Sequence, residues 1–419
     1  MKRTSLVIVF ILLCCISVYA QPVLTPRNVA LGGGGSTYIT DYNANFYNPA
    51  NLLVQDRRRN VDFGLLITGT YFNAVQNFSD LNSQRVNLED YIYAFNPGSY
   101  DINPLEREQI LTDNYVKDRS SSLHQTRLDL TLLGFKWRRN DKAYSIVVRN
   151  RISSSFEVGK GWYSSAPQER NNLPVLNRTL KHRYQSLYEF SFGYAESFKF
   201  FTDMTPRLDQ FIIGIAPKLV LGGAYQNASW KNVYEQSGSG GVSRIQNFEY
   251  TASGNFGAAT KEYLGGVPAE TALTSNISDE IFDYYGIGAG LDIGFTYLLT
   301  LGNDLSTISE NRQSTSKSLR ISFSITDIGF VSYDENAIKL TLNNDTTASS
   351  FPTGVVDEAF VGAPGQFLDF TDQYGVTNPF TSSVREDGTQ SVLLPTAIHG
   401  GVLLEVNRLK LMGDLSIVS

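Results

Sequence analysis

The chain has 419 residues, of which 42% are hydrophobic and 18% charged, with 35 Lys+Arg against 41 Asp+Glu. A net charge of −6 gives no basic surface for a polyanion, so nucleic acid is excluded as an expected partner. Both cysteines, Cys14 and Cys15, sit in the first twenty residues, and the remainder has no thiol for a disulfide, a metal or a nucleophile.

In chain order, residues 1–20 read as a secretory signal. Lys2 and Arg3 form a basic start, Leu6 to Val18 an apolar core, and Val18-Tyr19-Ala20 a small-x-small cleavage site before Gln21. A lipoprotein signal fits less well, because Leu13 stands before Cys14 where a small residue is wanted. Without this segment, 33 basic residues face 41 acidic ones, a net of −8. Residues 21–56 form a second unit. The glycines from Gly32 to Gly35 run into a stretch holding Asn43, Asn45, Asn48, Pro49 and Ala50, which has neither a helical nor a strand period. Beyond residue 20 no run of eighteen apolar residues occurs, so no transmembrane helix is expected. High counts of Tyr (23), Phe (25) and Gly (35) instead suit an exported β-protein, either soluble or an outer-membrane barrel.

Residues 57–419 carry a recurrent period of two. Val61, Phe63, Leu65 and Ile67 alternate with Asp62, Gly64 and Thr68. Tyr144, Ile146 and Val148 alternate with Ser145, Arg149 and Arg151; Tyr188, Phe190, Phe192 and Tyr194 with Glu189, Ser191, Gly193 and Ala195. Tyr285, Ile287, Ala289, Leu291, Ile293, Phe295, Tyr297 and Leu299 alternate with a glycine-rich face that includes Asp292, and Leu319 to Ile325 repeats the pattern around Arg320. The last two spans alternate about His399, Gly401 and Glu405 and about Lys410 and Asp414. Spans are therefore expected at 61–72, 127–138, 143–157, 186–200, 210–226, 284–300, 317–331, 397–406 and 409–418. The intervals 73–126, 158–185, 227–283 and 332–396 are expected to be long outer loops, with a helix at Asn103-Pro104-Leu105-Glu106 and a short strand from Ile338 to Leu342.

Three features favour the barrel over a soluble sandwich. The polar face is rich in Gly and Ser, the span at 284–300 would be about 50 Å long, and aromatics gather near span ends. A charge facing lipid costs about 2–4 kcal/mol, so Arg149, Arg151, Glu157, Glu189, Asp292, Arg320 and Glu405 are expected to face the lumen. Nine spans is an odd number and ends the chain on the outer side, so three to five further strands, or a miscount, are expected.

No site of chemistry stands out. Asp41-x-Asn43-x-Asn45 lacks the turn glycine and bidentate Glu of a calcium loop, and Gly286-x-Gly288-x-Gly290 lies inside a span with no helix after it. His124, His182 and His399 are far apart, and Arg57-Arg58-Arg59 reads as an anchor before the first span. No catalytic residue, metal or cofactor is assigned.

Residues Ala30 to Gly34 followed by Asn43-Ala44-Asn45-Phe46-Tyr47-Asn48-Pro49-Ala50-Asn51-Leu52 resemble the start of the FadL-like fatty-acid transporters and of their PorV and PorP relatives in type IX secretion. Ile325-Thr326-Asp327-Ile328-Gly329-Phe330 and Leu394-Pro395-Thr396-Ala397-Ile398-His399-Gly400-Gly401 resemble later strands of that superfamily. The resemblance implies a fourteen-stranded barrel and places Asn48, Pro49 and Ala50 in an N-terminal hatch. The expectation is an all-β, transmembrane antiparallel barrel of the bacterial outer membrane, in contact with lipid, with residues 21–56 as hatch. Its expected role is passive or gated uptake of a small hydrophobic solute. The alternative is a non-transporting barrel that meets a secretion or surface-attachment partner through its outer loops, and a soluble surface β-protein comes third.

Overall fold

The computed structural model describes residues 28, 34–54, 60–74, 112, 115, 121–160, 168–170, 173–198, 209–236, 242–277, 283–300, 317–347, 379–406 and 409–418. The expected signal, the triple arginine and the helix at Asn103 lie outside these residues. The strands are β1 (Val61–Ala74), β2 (Ser121–Arg139), β3 (Lys142–Gly159), β4 (Gln168–Arg170), β5 (Leu173–Phe198), β6 (Asp209–Gln236) and β7 (Val242–Ser253). Helices α1 (Asn255–Leu264) and α2 (Ala269–Ile277) follow, then β8 (Gly286–Thr300), β9 (Lys317–Tyr333) and β10 (Ile338–Thr347). The chain continues through α3 (Pro379–Ser382), β11 (Val384–Asp387), β12 (Gln390–Leu393), β13 (Ala397–Val406) and β14 (Leu409–Val418).

The fold is all-β, one antiparallel sheet of 14 strands curled into a half-barrel. Its main path is β1-β2-β3-β5-β6-β8-β9-β13-β14, and these nine strands coincide with the nine spans that alternation marks in the sequence. Every step is antiparallel, so β1 and β14, at the two ends of the path, run in the same direction. The turn at Asn140, with φ 54, lies at one end of the sheet, where Asn accepts the left-handed backbone at little cost. The long connections gather at the other end.

Two expectations need correction. Intervals 158–185 and 227–283 are not loops throughout: β5 and β6 extend into them, β7 pairs with β6 and β10 in turn with β7, and α1 and α2 follow β7. Thr, Lys, His, Gln and Asn dilute the apolar alternation in these extensions, which hides the strands from a period-two reading. The second correction is Ile67, which turns inward to pack on the core while Thr68 is exposed. Leu66 adopts φ 51 between the pairs Leu65↔Leu133 and Ile67↔Thr131, and this irregularity reverses the phase of β1.

Segment 34–54 lies against the concave face and supplies most of the main hydrophobic cluster. Tyr38, Ile39, Phe46, Tyr47, Leu52 and Val54 meet Ala143, Val147, Ala195, Ile212 and Leu403 from four strands. Each fully buried side chain of this size contributes about 1.5–3 kcal/mol, so apolar burial holds the segment in place. Small residues let it approach. A Cβ at Gly134 would strike the Tyr42 ring, one at Gly214 the Pro49–Ala50 backbone, and one at Gly294 the Asn48 side chain. We therefore expect Gly214→Val to destabilise the fold by about 1–3 kcal/mol through overpacking. Gly400→Ala, where a Cβ meets nothing within 4 Å, should be near neutral; urea unfolding of the two variants compares them.

Candidate functional site

The concave face carries two layers of polar chemistry. The first ties segment 34–54 to the sheet. Two short 3-10 helices, Tyr42–Phe46 and Pro49–Leu52, are capped by Asp41 and Asn48, whose side chains accept from the Asn43 and Ala50 N–H groups. Pro49 at the first position of the second helix needs no N–H partner there. Burial pushes the Asp41 carboxyl above its usual range against the pull of the Asn43 N–H.

The asparagines then reach outward. Asn45 donates to Ser191 Oγ at 3.0 Å and accepts from Ser145, which joins β5 and β3. Asn48 Nδ2 donates to Phe295 O at 3.1 Å, Thr296 Oγ1 at 3.0 Å and Ser36 O at 3.2 Å. Asn51 donates to Ser36 O at 2.6 Å and accepts from Thr296 Oγ1 at 2.8 Å. Asn43 is the weakest of the set, with Thr131 Oγ1 at 3.4 Å, and Ala50 contributes only its fit against Gly214. Lys136, Arg138 and Arg320 donate to the carbonyls of Thr40, Leu53 and Thr37, and Asp414 of β14 receives Gly35 N–H, Ser36 and Thr37. Each such bond contributes about 0.5–1.5 kcal/mol net, less than the apolar burial, and fixes register more than affinity.

The second layer is a dry ion network. Arg149 on β3 is bound by Glu189 of β5 through Nε at 2.7 Å and again through Nη2. Arg151 lies 3.0 Å from the same carboxylate and 2.8 Å from Asp327 of β9. Lys218 of β6 lies 2.9 Å from Asp292 of β8 and also contacts Asp327. Five neighbouring strands are thereby cross-linked. The Phe46 ring closes the network from the segment side, 3.6 Å from the Arg149 guanidinium carbon. Arg127 and Asp129 of β2 form a further buried pair at 3.1 Å.

Asp327 reaches the network through a bulge. Register skips from Ile293↔Ile325 to Leu291↔Ile328, Asp327 takes φ 58, and its N–H donates to Asp292 at 2.5 Å. Opposite the bulge, the strand that pairs with β9 is interrupted: β12 pairs with residues 330–333, β13 with 317–326, and Leu394 to Thr396 turn in between. Leu394 N–H donates to Gly329 O and Thr396 Oγ1 to Asp327 O, both at 3.0 Å. The two late motifs of the sequence thus interlock over the ion network.

Of the seven charges expected inside, Arg149, Arg151, Glu189 and Asp292 meet in this network, and Arg320 binds segment 34–54. Glu157 does not join them; it pairs with Lys181 at 3.0 Å near the long-connection end. Glu405 is half-buried near the short-turn end. Sequence reasoning missed Lys218 and Asp327. The three-residue step from Ile325 to Ile328, in a strand otherwise of period two, was the available signal for the bulge. For Lys218 it was Ile215, Pro217 and Leu219 on the opposite phase. Among the described residues no cluster of three or more His, Cys, Asp or Glu is arranged to hold a metal.

These features define an all-β protein with a charged, filled interior. The chain belongs to a family described as a family of unknown function (DUF5723), whose model matches residues 69–416, from within β1 to near the end of β14. No curated protein and no solved structure matches the chain.

Removing one partner of a buried pair is far more damaging than removing both. Lys218→Met, which strands Asp292 while Asp327 keeps Arg151, is expected to cost about 3–5 kcal/mol. Adding Asp292→Asn should recover part of this, as read from equilibrium unfolding of the single and double variants.

Proposed function

We propose that the protein is an outer-membrane β-barrel kept closed by segment 34–54, and that it serves as a non-conducting barrel which presents its long-connection end to a secretion or surface partner. The observation that carries the membrane reading is an inverted distribution of polarity. On the convex face Phe63 is 64% exposed, Phe192 53% and Ile287 58%, with Leu65, Leu219, Ile321, Phe323 and Phe330 alongside, whereas Arg149 and Glu189 inside are 1% and 0% exposed. Water would penalise that convex surface, and lipid would not.

Outward aromatics support the same reading. Phe135, Trp137, Tyr144 and Tyr194 form a chain of ring contacts of 5.1–5.6 Å across β2, β3 and β5 near the short-turn end, and Phe211 stacks on Phe295 at 6.1 Å. Such a girdle suits a membrane interface.

Two features of the interior favour the non-conducting role. Segment 34–54 is bonded to β14 at one end of the sheet path, to β2 next to the other end and to strands between, so leaving would expose an apolar cluster and remove the carbonyl partners of Lys136 and Arg320. Beyond it, a hydrophobic solute would meet the ion network. Gated uptake of a small hydrophobic solute is the second reading, favoured by the resemblance of residues 30–52 to transporter hatches.

In planar bilayers the full chain is expected to show no stepwise conductance. Asn48→Ala should lower stability without opening a pore, whereas a pore in that variant would favour uptake. Phe192→Arg and Phe323→Arg should each cost about 2–4 kcal/mol on folding into lipid vesicles, read from urea titration. Ser155→Arg, on the inward face near the long-connection end, should be tolerated; equal effects at all three positions would count against lipid on the convex face.

A further inference from the structure

Lys218 is the member of the ion network that becomes a nucleophile when it gives up a proton, which an arginine does not do. Its side chain and that of Asp292 are 0% exposed, and Nζ lies 2.9 Å from Asp292 Oδ2 across the seam between β6 and β8. Register sets Lys218 against Gly290, where a Cβ would stand 2.8 Å from the lysine Cε, so the glycine gives the lysine stem room to run toward Asp292. The Phe46 ring lies 5.7 Å from Nζ on the segment side. Amine and carboxyl are thus held side by side in a place closed to water.

The three carboxylates near Nζ are not equivalent. Glu189 binds both arginines and lies 4.0 Å away, and Asp327 touches Nζ but also binds Arg151 at 2.8 Å. Among the described residues Asp292 pairs with Lys218 alone, and its Oδ1 accepts the Asp327 N–H at 2.5 Å. An anion tied to a guanidinium resists nucleophilic attack, which leaves Asp292 as the acyl group. Charge counting agrees. Three cations face three anions, and joining Lys218 to Asp292 removes one of each, leaving Arg149 on Glu189 and Arg151 on Asp327.

We propose that Lys218 and Asp292 condense into an isopeptide bond that ties β6 to β8, with Asp327 as the proton carrier. Lys218 passes one proton to Asp292 Oδ2, giving a neutral amine beside a neutral acid, which water-free surroundings tolerate. The nitrogen lone pair attacks Asp292 Cγ, and the Asp327 N–H holds the oxygen that stays on that carbon, as a backbone donor does in acyl transfer. The Asp327 carboxylate takes a second proton from the nitrogen and hands it to the departing Oδ2 hydroxyl. The C–O bond breaks, one water leaves, and Asp327 is an anion again; no oxidant or reductant enters. Proximity supplies the rate, because reacting groups fixed at this range behave as if at very high concentration. The bond needs no ligand and forms whether or not lipid covers the convex face.

Tryptic digestion of the denatured full chain, followed by mass spectrometry, tests it. Trypsin is expected to leave Lys218 uncut and to release residues 208–231 joined to residues 262–312, at the sum of their masses less one water. Asp292→Ala should yield the two stretches separately, with Lys218 cut. Asp327→Asn should slow the joining during refolding by about a hundredfold or more. The parent digest decides the matter even where a variant fails to fold. Separate peptides in the parent, Lys218 joined instead to residues 321–339, or joining in Asp327→Asn at the parent's rate would overturn the proposal. None of these outcomes bears on the bilayer measurements.

Discussion

A charge taken out of water must be matched by another charge or by a backbone dipole, and the concave face of this sheet is organised around that requirement. Five adjacent strands each bring a charge to one level, and no two of them could slip by a residue without sending a charge to the apolar convex face. The network therefore fixes strand register across the middle of the sheet. Its most telling member is Asp327. The bulge that turns it inward breaks the period of β9 and faces an interruption between β12 and β13, and both irregularities are bound to each other through Thr396 and Leu394.

Segment 34–54 answers the same requirement toward the short-turn end. Its carbonyls receive Lys136, Arg138 and Arg320, and its Phe46 ring covers Arg149. Glycines on the facing strands give it room, and Asn45 and Asn48 act as two-sided connectors, donating to the sheet while accepting from it or from their own turn. The segment reads as part of the core. This is why we propose a closed, non-conducting role rather than a freely moving hatch.

Much of this was legible in the sequence. All nine strands of the main path follow from alternation, because Tyr188 to Ala195 or Tyr285 to Leu299 show a period that no helix shares. The inward placement of Arg149, Arg151, Glu189 and Asp292 follows from the same phase. What alternation could not show is which charges meet, since that depends on stagger between strands. It also failed wherever the phase breaks, at Leu66 and Asp327, and in the polar extensions of β5 and β6. The Asn-rich segment had no period of its own because its partners are the strands around it. Its structure became readable only once those strands were in place.

The account rests on the convex face meeting lipid, and spin labels scanned along β9 in bilayers test this most directly. Oxygen accessibility is predicted to peak at positions 321, 323 and 325, then to shift phase and peak again at 328 and 330, with 322, 324 and 326 protected from both oxygen and water-soluble quencher. High accessibility to the water-soluble quencher at 321, 323 and 330 would contradict it, as would an unbroken period of two through Asp327.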